Sequence, residues 1–277
     1  MVGVRESANR SVTVMPQMRV LLTNDDGIHA PGLGALEKRM DSAWALTTVA
    51  PAEEQSGMSH ALTMNSPLRV SGHGDGRWAV TGTPVDCVYL ALHKLCTSVP
   101  SLVVSGINKG ANLGDDVFYS GTVGAAREAA LNGIPALAVS LNIPEGDTRL
   151  YFETAAAVAV AVIQQIVEEP LPEGCFLNLN VPNLPAREVK GVVACPLGQR
   201  HYEPLVEERL DPRGKTYFWI GGHPVGEKMM AGSDGNWIAE GYATLTPLGL
   251  DNTARDHLPR ADRWLPSTMI GDNDEQS

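Results

Sequence analysis

Four short apolar runs recur between helix-forming stretches in the first half of the chain: Arg19-Val20-Leu21-Leu22-Thr23, Trp44 to Ala50, Ser101-Leu102-Val103-Val104-Ser105 and Pro135 to Leu141. Runs this short and this apolar read as buried strands. Helices are expected between them, and each carries its own boundary chemistry. Ala30-Pro31-Gly32-Leu33 opens one that reaches about Met40, with Pro31 in the first turn where its missing N–H costs nothing. Thr83-Pro84-Val85-Asp86 supplies an N-cap, a first-position proline and an acid at the third position, so a helix should run to about Leu95 and bury Val85, Val88, Tyr89 and Leu92. Another runs from Thr122 to Asn132 and stops at Gly133, and a long alanine-rich one covers Leu150 to Glu168.

Strands alternating with helices in this way specify an α/β fold, a three-layer α/β/α Rossmann-like arrangement around a largely parallel sheet. Leu68 to Ser71 and Trp78 to Thr81 read as two further short strands, and Pro51 to His60 and Gly106 to Gly121 as loops. The pattern changes after about residue 185. Val189 to Trp237 reads as short strands and turns, Lys215 to Ile220 among them, followed by a strand over Asn236 to Leu248 and a short helix near Leu250 to Leu258. The expected organisation is an N-terminal extension (1–17), an α/β core (18–185), a smaller β-rich C-terminal lobe with an oligomerisation segment (186–265), and a flexible tail (266–277).

A formal net charge of −11 argues against a nucleic-acid polymer as partner, because such binding depends on Lys and Arg neutralising phosphates. A small phosphorylated ligand held through a cation is still compatible with that charge. Cys87, Cys96, Cys175 and Cys195 are far apart and lack a Cys-x-x-Cys spacing, so they read as reduced core thiols, and a cytoplasmic location is expected. The most apolar stretch, Ala155 to Val167, is too short to span a bilayer, and no membrane association is expected.

The first strand is followed at once by Asn24-Asp25-Asp26-Gly27. An ordinary turn has the same composition. However, loops rich in side-chain oxygens follow three successive strands: Asn24, Asp25 and Asp26; then Glu53, Glu54, Gln55, Ser56 and Ser59; then Ser105, Asn108, Asn112, Asp115 and Asp116. Parallel strands release these loops at one edge of the sheet, where open α/β folds place ligands. An oxygen-only donor set favours Mg²⁺ or Mn²⁺. Glycines in the third loop, and the helix start at Ser120-Gly121-Thr122, offer N–H groups to an anion, although Ser120 is equally a plain N-cap and Asn108 a plain loop-bonding residue.

These segments, with Ser56-Gly57 and His60, Gly82 to Val88, Ser105 to Asn108 and Tyr119 to Val123, resemble the SurE family of stationary-phase survival nucleotidases. The resemblance continues through Arg200-His201-Tyr202, Asp211 to Gly214, Tyr217 to Gly222, Ser233-Asp234 and Gly241 to Leu248. It implies a metal-dependent phosphatase acting on nucleoside 5′- and 3′-monophosphates, with short polyphosphate as a further substrate of some members. It also implies one divalent cation per subunit, held by Asp25, Asp26, Ser56 and Asn108, and a homodimer or homotetramer formed through the C-terminal lobe. In this chain Glu53-Glu54-Gln55 stands where members commonly carry a basic residue.

Asp25 and Asp26 are the expected catalytic pair, and Asn24, Ser120, Gly121 and Thr122 the expected substrate contacts, with water as the nucleophile or an aspartate attacking directly. His60, His201, His223 and Lys109 are left outside that set. The competing readings are a non-catalytic nucleotide-binding regulator and a dinucleotide oxidoreductase. Against the second, Asn-Asp-Asp-Gly replaces the Gly-x-Gly-x-x-Gly that should follow the first strand.

Overall fold

The computed structural model describes residues 17–40, 44–74, 76–202, 204–221, 224–228 and 230–265. The expected extension up to residue 16, the tail 266–277, Gly222 and His223 lie outside the described residues.

In chain order the strands are β1 (Arg19–Thr23), β2 (Ala45–Pro51), β3 (Val70–Gly72), β4 (Arg77–Val80), β5 (Leu102–Lys109), β6 (Ala136–Asn142) and β7 (Cys175–Pro182). They are followed by β8 (Val192–Ala194), β9 (Gln199–Tyr202), β10 (Leu205–Leu210), β11 (Thr216–Gly221), β12 (Pro224–Lys228) and β13 (Ala243–Gly249). Nine of them build one sheet in the order β3-β4-β2-β1-β5-β6-β7-β13-β8. Its centre is parallel, from β4 through β2, β1, β5 and β6 to β7. The pairs β3–β4 and β7–β13 are antiparallel, and β8 lies parallel to β13. β10–β11 and β9–β12 form two small antiparallel ribbons apart from this sheet.

The helices are α1 (Pro31–Met40), α2 (Pro84–Leu90), α3 (Gly121–Leu131), α4 (Phe152–Glu168), α5 (Asp234–Ala239) and the short α6 (Leu258–Ala261). Alternate side chains of the sheet divide between two cores, as strand geometry requires. Val20 and Leu22 of β1, with Val104, Leu137 and Val139, pack under α1 and α4. Leu21 of the same strand, with Val49, Val103 and Phe176, packs under α2 and α3. Among the described residues no helix is long and apolar enough to cross a membrane.

The capping box at Thr83 forms as its sequence requires: the Thr83 side chain accepts from the Asp86 N–H at 3.1 Å, and Asp86 accepts from the Thr83 N–H at 2.8 Å. Four readings need correction. Tyr89 is exposed: it follows the buried run Pro84 to Val88 and falls on the solvent side of α2, which gives way to a π-helical turn at Ala91–Leu95. The glycine-rich segment is not all loop: β5 continues to Lys109, with a register shift between Ser105 and Asn108, and a 3₁₀ turn occupies Gly114–Phe118. Gly106 sits within that strand because a Cβ there would lie 2.3 Å from the Val139 carbonyl oxygen of β6. Residues 236–242 are not strand, since α5 and its C-terminal turn precede β13. β7, for which no strand was expected, pairs with both β6 and β13.

Candidate active site

β1 delivers Asn24, Asp25 and Asp26 to the carboxyl edge of the sheet, as its parallel pairing with β2 and β5 dictates. Asn24 is wholly buried and closes a ring on the turn, donating from Nδ2 to the Gly27 carbonyl at 2.9 Å and accepting from the Gly27 N–H at 3.2 Å. The turn reading therefore holds for Asn24, and this turn aims the two carboxylates.

Asp25 is 5% exposed. Its Oδ1 accepts the Thr122 hydroxyl at 2.5 Å and its Oδ2 accepts the Thr122 N–H at 3.2 Å, across the start of α3. Burial raises the Asp25 carboxyl to about pKa 6; the Thr122 hydroxyl opposes this and the adjacent Asp26 charge adds to it. Asp26 is half-buried and its Oδ2 accepts the Lys109 N–H at 3.0 Å. Its pKa is also raised, chiefly by burial, with the Glu54 charge contributing. Among the described residues no ion pair joins Asp25 or Asp26 to a Lys, Arg or His side chain.

Asp25 after β1, Ser56 after β2 and Asn108 at the end of β5 line one open pocket of about 470 Å³ together with Gly57, Ala111, Asn112, Asp116, Tyr119, Ser120 and Tyr202. Asp26 is tied to its rim through Lys109, the residue after Asn108. The Asn108 Nδ2 donates to the Gly110 carbonyl at 2.9 Å, and since a carbonyl only accepts, the amide oxygen must face the other way. Ser120 is the N-cap of α3 and accepts from the Val123 N–H at 3.1 Å. Gly121 packs on Asp25, where a Cβ would lie 3.1 Å from Oδ2.

Ser105 is buried within β5 and Asp115 is exposed; neither lines the pocket. Ser59 donates to the Phe118 carbonyl at 2.5 Å, and His60 pairs with Glu128 of α3 at 2.9 Å, so both fasten the second loop to its neighbours. Among the described residues no three His, Cys, Asp or Glu side chains converge as a metal site. The donors available here are two carboxylates, a hydroxyl and an amide oxygen.

A model of the family described as "Survival protein SurE" matches residues 20–204. The chain belongs to the SurE family. A SurE relative from Cronobacter sakazakii, named 5′/3′-nucleotidase SurE, is 49% identical over 256 residues, covering 91% of this chain and 98% of that protein. One from Geotalea uraniireducens, named 5′-nucleotidase SurE, is 47% identical over 247 residues, covering 89% of this chain and 99% of that protein. The crystal structure of the SurE protein from Aquifex aeolicus superposes with a TM-score of 0.78 at 38% identity, covering 89% of this chain and 99% of that one.

In this SurE chain the acidic approach Glu53-Glu54-Gln55 touches the site through Glu54, whose Oε1 accepts the Ser56 hydroxyl at 2.7 Å. The far wall of the pocket was absent from the expected site set. There Asp116 accepts the Tyr202 hydroxyl at 2.6 Å and forms an ion pair with Arg200 at 2.5 Å. The Tyr202 hydroxyl is pushed up to about pKa 12, first by burial and then by its bond to Asp116. Arg200-His201-Tyr202 was singled out as a motif, but nothing local in the sequence brings it back across 86 positions to Asp116.

Proposed function

We propose that this chain is a divalent-metal-dependent 5′-nucleotidase that hydrolyses nucleoside 5′- and 3′-monophosphates to nucleoside and phosphate. One observation carries the reading: Asp25, Ser56 and Asn108 open into a single pocket whose most buried carboxylate is paired with no cationic side chain among the described residues. Two adjacent carboxylates are both raised in pKa, the Lys109 charge only partly offsetting the effect at Asp26, and a hard cation would favour their ionised forms. Asp25, Asp26, the Ser56 hydroxyl and the Asn108 amide oxygen would hold one Mg²⁺ or Mn²⁺. When bound, the cation offsets charge on the phosphoryl oxygens and makes water a stronger acid.

The chain's own residues supply the rest. Thr122 fixes both oxygens of Asp25 and so serves the cation side of the pocket. The phosphate then falls to the Gly121 N–H at the start of α3 and to the Ser120 hydroxyl, since the Ser120 N–H itself donates to the Asp116 carbonyl at 3.0 Å. Asp26 gives one oxygen to the Lys109 N–H, and its other oxygen would take the proton of the attacking water and return it to the nucleoside oxygen as the P–O bond to the nucleoside breaks. Asn24 acts through the turn. A non-catalytic regulator is not favoured, since simple binding of a nucleotide needs no four-oxygen cation set.

A homodimer or homotetramer would form through the C-terminal segment, whose β10–β11 ribbon exposes Val206, Leu210, Phe218, Trp219 and Ile220, the last at 90%. All four cysteines are free, in keeping with a cytoplasmic location. The decisive assay measures inorganic phosphate released from AMP, GMP and their 3′ isomers with Mg²⁺, Mn²⁺ or EDTA. Cation-dependent release that Asp25→Asn abolishes is expected. Absence of release with every metal would overturn the reading, and activity indifferent to EDTA would remove the cation from it.

A further inference from the structure

Asp234, in the Ser233-Asp234 motif, opens the short helix α5 and is 1% exposed. It lies far along the chain from every residue that lines the pocket by way of β1 or β5. Its carboxylate gathers three backbone N–H groups. Oδ2 accepts from Gly114 at 2.8 Å, and Oδ1 accepts from Gly198 at 2.7 Å and from Gly235 at 2.8 Å. The Asp234 N–H in turn donates to the Pro196 carbonyl at 3.0 Å.

The two glycine segments it joins touch each other. A Cβ on Gly114 would lie 2.9 Å from the Gly198 carbonyl oxygen, and a Cβ on Gly198 would lie 3.1 Å from Asp234 Oδ1. Each segment leads within two residues to the far wall of the pocket. Gly114 begins the 3₁₀ turn that carries Asp116 and runs into Tyr119 and Ser120. Gly198 precedes β9, which carries Arg200 and Tyr202, and both of these bond to Asp116. The wall is thus clasped twice: once by Asp116 at the pocket, and once by Asp234 behind it.

A carboxylate suits this place because N–H donors from two separate segments, and from its own helix, meet on its two oxygens. An amide would present an NH₂ to one of them. We propose that Asp234 is a positioning residue for the nucleotidase reaction: by clamping Gly114 to Gly198 it holds the Asp116–Arg200–Tyr202 wall, the side of the pocket that receives the nucleoside. The assignment of sides rests on the nucleotidase reading, in which Asp25, Ser56 and Asn108 take the cation and phosphate. Tyr119 and Tyr202 then offer aromatic surface to the remaining part of the substrate.

The test compares wild type, Asp234→Asn, Tyr202→Phe and the double variant with Mn²⁺, using AMP and the nucleoside-free ester glycerol 2-phosphate. In Asp234→Asn the KM for AMP is expected to rise about fivefold with kcat held within about twofold, so that preference for AMP over glycerol 2-phosphate falls. The Mn²⁺ concentration for half-maximal activity stays at the wild-type value, because the cation side is not moved. The double variant should lose less than the product of the two single losses, since both act through Asp116. Equal losses on both esters, a fall in kcat alone, or independent effects in the double variant would overturn the proposal. Should Asp234→Asn fail to fold, Gly198→Ala presses on the same carboxylate and is read by the same criteria. Failure of wild type to release phosphate from AMP would sink the nucleotidase reading itself, and this proposal with it. A normal wild type beside an unaffected Asp234→Asn would sink only the proposal.

Discussion

Replacing Asp25 with asparagine is expected to stabilise the metal-free protein while abolishing its activity. The carboxyl is raised from 3.8 to about 6, so in the absence of a cation the folded chain holds it ionised at neutral pH against a penalty. Roughly two pKa units correspond to about 3 kcal/mol. Asparagine removes that charge and its repulsion of Asp26 while keeping both contacts: its Oδ1 can accept the Thr122 N–H, and its NH₂ can donate to the Thr122 hydroxyl oxygen.

For a raised carboxylate, the folded state binds the proton more tightly than the unfolded state. The penalty is therefore absent below the unfolded pKa near 4, grows as pH rises, and is complete above about 6. Thermal unfolding in EDTA at pH 7.5 should give Asp25→Asn a Tm higher by roughly 5–10 °C, an advantage that shrinks toward zero at pH 4. In saturating Mn²⁺ the order should reverse, because only the wild type keeps the full cation set and gains from the bound ion. A variant less stable than wild type in EDTA at pH 7.5, or a difference that does not change with pH, would refute the reasoning.

Thr122→Val removes the hydroxyl that lowers the Asp25 pKa, so it should weaken Mn²⁺ binding by roughly tenfold when titrated by calorimetry. Gly124→Ala places a Cβ 2.2 Å from the Ser59 carbonyl oxygen and should force α3 away from the loop bearing Ser56; a loss of about 2 kcal/mol or more in urea unfolding is expected. Thr83→Ala removes the α2 cap and the bond from its hydroxyl to the Ala61 carbonyl. It should cost about 1–2 kcal/mol in the same measurement and leave the Mn²⁺ midpoint of activity at the wild-type value.

The elements that were legible in the sequence are those whose cause is local. β1 and its aspartates, the Thr83 capping box and the Gly133 stop of α3 each depend on a few consecutive residues, and each is present. β7 was missed because Asn178 and Asn180 interrupt its apolar pattern, although both are buried and donate to the Asn112 carbonyl 66 and 68 positions away. The same physics hid the far wall of the pocket. Asp116 reads as one loop acid among several until Arg200 and Tyr202 arrive from a different ribbon. Thr122 was expected to face phosphate and instead holds Asp25, a choice made by the packing of α3 against the end of β1. The pairing of Asp25, Ser56 and Asn108 could be anticipated because parallel strands send their loops to one edge.

The order of strands in the sheet has a consequence for how this protein is made. Among the described residues β8 bonds to no strand of the sheet but β13, and β13 is inserted between it and β7. During synthesis the ribosome releases residues 192–194 well before residues 243–249, so β8 must wait unpaired while the ribbons and α5 are translated. The nascent chain can assemble the parallel half of the sheet early. The Asp234 clasp joins Gly114 across 120 positions, so the far wall of the pocket can be fastened from behind only after both ribbons have been made.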